Sequence, residues 1–241
     1  MLKHVPLAIA ILMVSCGSAA AQDLSFSLGD QTLTGQSLLL ISLVTVLSLA
    51  PGLAVMVTCF PFIVTVLSIL RQAIGLQQSP PNMLIVSLAL FLTWFIMEPV
   101  FTEAWAAGIE PLIAGRYELP QAFEAGIAPF RTFMAARLDA DTFLSLASLR
   151  PETATLTGSE NAPLSLLVPS FMLSEVARAF EIGFLIYLPF LIIDLVVSAV
   201  LMSMGMMMVP PAVVALPFKL AFFVVADGWA LISGALVRSY F

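Results

Sequence analysis

The sequence predicts an all-α integral membrane protein of broken helical hairpins with a small helical periplasmic region. Three observations carry that expectation. Of 241 residues, 61% are hydrophobic and 10% charged, with a mean hydropathy of +1.07. A soluble domain is about half apolar and a quarter charged, so lipid has to be the solvent for much of this chain. Second, the apolar runs are interrupted by Pro, Asp or Lys, which suits helices folded back against protein rather than crossing lipid alone. Third, most of the charge is gathered between two apolar blocks, where apolar residues recur at helical steps.

The N-terminus reads as a targeting segment. Lys3 supplies a positive charge, Val5 to Val14 form a short apolar core, and Ala19-Ala20-Ala21 offers a small-residue cleavage site. Residues 1–21 are expected to be a signal peptide cleaved after Ala21. The rival is a lipoprotein signal with Cys16 as the lipid acceptor, but Met13-Val14-Ser15-Cys16 is a poor version of that motif. Residues 22–37 form a polar, flexible segment. The first apolar helical hairpin is placed at 38–105, with no charge from Thr32 to Leu70 and breaks at Pro51-Gly52 and Pro61. A polar turn at Gln77 to Pro81 follows, then an apolar run from Asn82 cut by Glu98-Pro99.

Residues 106–181 are the periplasmic helical region. Leu119, Phe123, Ile127, Phe130, Phe133 or Met134, and Leu138 recur every three or four positions, marking an amphipathic helix. That stripe packs either on its own small domain or on another subunit, the oligomer contact being Leu119, Phe123, Ile127 and Phe130. Residues 182–241 form the second apolar hairpin, interrupted by Pro189, Asp194, Pro210-Pro211, Pro217, Lys219 and Asp227 and holding a Met-rich loop.

Composition excludes several chemistries. His4 is the only histidine, and Cys16 and Cys59 are the only cysteines. Without the leader no His remains, so neither a His-based triad nor a His/Cys zinc site is available within the chain. No phosphate-loop, dinucleotide or nucleophile-elbow motif occurs. A net charge of −6 with no basic run speaks against nucleic acid. The expectation is a non-enzyme with no cofactor and no metal.

Two features invite function. Asp194 and Asp227 are acids within apolar segments, where charge is costly and faces an interior. Lys219 lies in the same hairpin, so intramembrane ion pairing among Asp194, Lys219 and Asp227 is the favoured reading over a proton relay. Met202, Met204, Met206, Met207 and Met208 crowd seven residues. Methionine is ordinary core filler, but three in a row point around a helix or loop rather than along one face. Flexible apolar side chains suit a surface that closes around varied contents. Glu175 and Glu181 are expected to pair with Arg178, their neighbour on one helix.

The stretch from Pro169 to Phe184, with Pro189 to Leu195, Gly205 to Pro211, Leu216 to Leu220 and Asp227-Gly228-Trp229, closely resembles the signature of the FliP/SctR family of core export-gate subunits of flagellar and type III secretion systems. Leu70 to Gly75, Pro80-Pro81-Asn82 and Leu88 to Thr93 also look like that family, so the likeness covers about residues 38–241. Two departures stand out. Pro61-Phe62 follows Thr58-Cys59-Phe60 where the family usually has Thr and a basic residue, and the basic residue often found at the position of Ala177 stands here at Arg178.

The resemblance implies a pentamer joined by FliQ-like and FliR-like membrane subunits within a larger export apparatus. It implies passage of unfolded protein substrates across the bacterial inner membrane, with Met206, Met207 and Met208 as a pore gasket and the energy source elsewhere. The signal peptide favours a place in the flagellar basal body over an injectisome. The alternative reading is a proton-coupled secondary transporter using Asp194 and Asp227.

Overall fold

The computed structural model describes residues 33–76, 80–154, 156, 158–159, 162–206 and 208–241. The cleavage site at Ala21, His4, Cys16, residues 22–32 of the polar lead-in and Met207 lie outside the described residues, while residues 33–37 of that lead-in already belong to a helix. Among these residues every regular element is helical. The chain is all-α.

Helix α1 spans Leu33–Met56 with Pro51 inside it. Helix α2 (Phe60–Ile74) supplies the centre of the core: Phe62, Ile63, Val66, Leu67, Leu70 and Ala73 are fully buried. Pro61 falls in the first turn of α2, where its missing N–H leaves no bond unmade. The departure at this position therefore starts a helix instead of bending one. Gly75, at φ 88°, closes α2 in the left-handed conformation that glycine adopts without strain.

Helix α3 (Asn82–Ala104) continues through a π-turn at Trp105–Ile109 into a short α4 (Glu110–Ile113). The break expected at Glu98-Pro99 does not occur. Together Asn82–Ile113 make one of two single helical stretches, among the described residues, long and apolar enough to cross a membrane. Helix α5 (Leu119–Arg137) returns along it. The π-turn places Gly108 against α5 so closely that a Cβ there would sit 2.7 Å from the Ala122 carbonyl and 2.8 Å from the Gly126 Cα. Both obstacles are backbone and cannot rotate away. Gly108→Ala is expected to cost about 1–3 kcal/mol or more by forcing the helices apart, read as a lower melting temperature in detergent.

Helix α6 (Ala140–Ser148) is capped by Asp139, whose carboxylate accepts from the Thr142 amide at 2.8 Å and its hydroxyl at 2.7 Å. Those two donors hold the Asp139 carboxyl below the usual aspartate range. The cap is therefore complete above the unfolded value of about 4 and is lost as pH falls through the lower folded value.

Helix α7 (Leu164–Ser203) is the second membrane-length element, 40 residues long. Interruption at Pro189 is the expectation that fails most clearly, since α7 runs straight through both Pro169 and Pro189. Each proline removes one helical bond and crowds the preceding turn. In exchange one face of α7 stays buried from Leu167 to Phe190, through Phe171, Glu175, Ala179 and Gly183, with α2 its most extensive neighbour. A break would give up that contact.

The true breaks come later. Helix α8 (Pro211–Val225) turns back along α7, and α9 (Gly228–Arg238) departs from it at 60°. The corner is Asp227, which at φ 48° is the only non-glycine with positive φ among the described residues. Aspartate tolerates this region better than most side chains.

Candidate functional site

The α7–α8 hairpin holds both sequence-predicted features. Helix α7 ends at Gly205, φ 74°, which donates to the Met202 carbonyl at 3.0 Å while Met206 donates to that of Leu201 at 3.0 Å. These paired bonds form a Schellman motif, which stops the helix and turns the methionines out of its axis. Met204 is 65% exposed, Met206 46% and Met208 97%. Below the turn, Val196, Val200, Leu201, Met206, Val214 and Phe218 line an open apolar groove of about 550 Å³. The hairpin tip is thus a cluster of exposed, uncharged thioethers with no polar side chain among the groove residues.

Deeper in the hairpin, Lys219 Nζ lies 2.6 Å from Asp194 Oδ2. The ammonium also donates to the Ala73 carbonyl at 3.1 Å. That carbonyl belongs to the last turn of α2, where the backbone lacks donors and the helix dipole favours a cation. Lys219 therefore ties α8 to α7 and to the end of α2 at once. Asp194 Oδ1 is buried without a partner. Asp227 is not brought to this pair; it stands exposed at the α8–α9 corner and makes no side-chain cap to α9.

A second buried cluster escaped the sequence reading. Glu175, fully buried, receives Arg137 Nε at 3.3 Å and the Tyr240 hydroxyl. Arg137 Nη1 donates to the Ser239 carbonyl at 2.7 Å, and its guanidinium lies 4.0 Å from the centre of the Tyr240 ring. Burial, then the charge of Glu175, push the Tyr240 hydroxyl well above the ordinary phenol value, so it stays protonated and donates. The expected pairing of Glu175 with Arg178 is corrected: the partner is Arg137, 38 positions away on α5. Glu181 makes no ion pair among the described residues.

The stripe on α5 divides in two. Phe130, Phe133 and Met134 turn inward, with Phe133 stacked on Tyr240 and Phe130 edge-on to Phe101. Leu119 and Phe123 stand 72% and 66% exposed, and Ile127 is half-buried. Ala122 and Gly126, unremarked in the sequence, make the close contact with Gly108 of the π-turn instead. No group of three or more His, Cys, Asp or Glu side chains among the described residues is placed to hold a metal.

Comparison with known proteins places this arrangement. The profile of the FliP family matches residues 43–236. The chain belongs to the FliP family. Flagellar biosynthetic protein FliP of Caulobacter vibrioides is 50% identical over 238 residues, covering 97% of this chain and 88% of that protein. The Rhizobium meliloti protein of the same name is 44% identical with full coverage of both chains. That of Bacillus subtilis is 42% identical over 89% of this chain and 97% of its own length. The resemblance seen in the helix signature around Glu175 thus extends across the chain, and family membership agrees with the all-α membrane fold.

Proposed function

We propose that this chain is a pore-forming core subunit of the flagellar protein export gate, through which unfolded flagellar substrates cross the inner membrane. The observation that carries the proposal is the hairpin tip. A sharp glycine turn projects Met204, Met206 and Met208 from the end of α7 with large exposed thioether surfaces. Such side chains form a seal that excludes ions yet reshapes around a passing polypeptide. Support for the flagellar setting comes from the relatives, each named a flagellar biosynthetic protein.

In this reading several copies, five by analogy with the family, surround a shared channel together with FliQ-like and FliR-like membrane subunits. Leu119 and Phe123 then meet a neighbouring subunit, residues 1–21 are removed on export, and residues 106–181 face the periplasm. The chain acts as a conduit rather than a catalyst. Replacing Met206, Met207 and Met208 together with Ala should leave assembly intact and make the membrane leak small ions, measured as dissipation of an imposed potassium gradient. An assembled triple variant as tight as the parent would refute the gasket.

A further inference from the structure

The tip of the α7–α8 hairpin carries a chemistry that sealing does not use. Met204, Met206 and Met208 are 65%, 46% and 97% exposed, whereas Met97 and Met134 are fully buried. A thioether in reach of solution is open to oxidation, and a buried one is shielded from it. Cys59, the one cysteine among the described residues, is fully buried and does not compete. Met56 and Met83 are exposed too, but neither is among the groove residues.

What a new acceptor meets at the tip is decided by the donors left there. The Ser203 hydroxyl donates to the Val200 carbonyl at 2.7 Å. The amides of Met204, Gly205, Met206 and Val209 all donate within the turn, and Pro210 and Pro211 have no N–H. Lys219, the nearest cation in sequence, is held by Asp194 and the Ala73 carbonyl. The groove beneath adds only apolar side chains and thioethers. Such a surface stays dry, because water settles only where it finds polar partners.

Hydrogen peroxide changes that. The lone pair of a thioether attacks one peroxide oxygen, and an S–O bond forms as the O–O bond breaks. The departing hydroxide takes the proton of the transferred oxygen and leaves as water. Sulfur loses two electrons, and the product is methionine sulfoxide, which reductases return to the thioether. Its oxygen is a polar acceptor, and with these donors of the turn already used, water is what answers it. A hydrophobic constriction blocks ions only while it is dewetted. We propose that Met204, Met206 and Met208 form a reversible oxidation site, at which conversion to sulfoxides wets the seal and opens it to small ions. The proposal rests on the export-gate reading, since only a shared channel gives the tip something to seal and leaves it open to a solute as small as peroxide.

The test uses the detergent-extracted assembly of the full chain, oxidised with hydrogen peroxide and reconstituted into potassium-loaded vesicles. Peptide mass spectrometry should find an added oxygen atom on Met204, Met206 and Met208 and none on Met97 or Met134. The untreated assembly should hold the potassium gradient and the oxidised one should lose it. Oxidised assemblies treated with methionine sulfoxide reductases of both epimer classes before reconstitution should seal again. A variant carrying Met204→Leu, Met206→Leu, Met207→Leu and Met208→Leu keeps Met56, Met83 and Met202. Its leak, whatever the starting rate, should be the same with and without peroxide. Tip methionines as free of added oxygen as Met97 overturn the proposal, as does an oxidised parent that stays tight. A Leu variant whose leak rises as the parent's does also overturns it, by placing the effect at another residue. If that variant does not assemble, a parental leak that survives the reductases overturns the proposal by itself. A parent that leaks before any peroxide would instead defeat the sealing reading from which the proposal starts.

Discussion

Arg137→Ala is expected to destabilise the protein by about 3–5 kcal/mol, the cost of leaving a buried partner uncompensated. Glu175 has no solvent exposure, so its carboxylate cannot recover hydration when the guanidinium is removed. The loss also frees the Ser239 carbonyl and removes the cation from the Tyr240 ring, so the segment after α9 keeps only the Phe133–Tyr240 stacking as its side-chain tie to α5. Arg137→Lys should recover little, because one ammonium cannot span both the carboxylate and the Ser239 carbonyl as the planar fork does. Tyr240→Phe removes one donor from a buried carboxylate and should cost about 1–3 kcal/mol. The decisive comparison is a double variant, Arg137→Met with Glu175→Leu. Replacing both charges by apolar groups of similar size should regain most of the lost melting temperature in detergent. A single Arg137→Ala variant as stable as the parent would show that water reaches Glu175 and that the cluster is not buried.

The elements of this protein were legible where local rules decide them. Continuous apolar runs mark α2, α3, α7 and α8, and Gly75 and Gly205 end helices as glycines at helix C-termini commonly do. The prolines misled for a physical reason. Pro99 and Pro189 are local penalties, whereas the contacts that keep α3 and α7 continuous are made with α5 and α2, which a single run of sequence does not reveal. Pro61 shows the opposite case, since its first-turn position makes it harmless.

Site residues followed the same division. The methionine cluster and the Lys219–Asp194 pair could be anticipated, because intramembrane charges must find partners and the hairpin places them near each other. The partner of Glu175 could not. Helical spacing offers Arg178 three positions away, yet Glu175 is turned fully into the interior while Arg178 stays half-buried, and Arg137 enters from α5 across that interior. Gly108 and Gly126 were equally silent, since the meaning of a glycine on a helix face depends on what approaches it. The π-turn at Trp105–Ile109 rotates Gly108 into the contact, and no periodicity rule forecasts that rotation.

Lys219→Ala is expected to cost about 3–5 kcal/mol, because it strands Asp194 and strips the α2 carboxyl end of its cation. Asp194 Oδ1 already lacks a partner, so Oδ2 would become the second unsatisfied atom of a charge held within a membrane-length helix. Asp194→Asn should cost less, since a neutral amide still accepts from Lys219 while the ammonium keeps the Ala73 carbonyl. The structural and proton-relay readings separate on the double variant, Asp194→Leu with Lys219→Met. If the pair serves only to dock α8 on α7 and α2, removing both charges restores stability and assembly, and protein export returns with them. If Asp194 carries protons, stability returns while export stays lost. The geometry favours the first outcome: the ammonium occupies one carboxylate oxygen at 2.6 Å, and an acid so held is a poor carrier for a proton that must come and go. Asp227 sharpens the same contrast. It stands exposed at a backbone corner rather than beside Asp194, so Asp227→Asn, which keeps the left-handed turn, should leave export near its parental level.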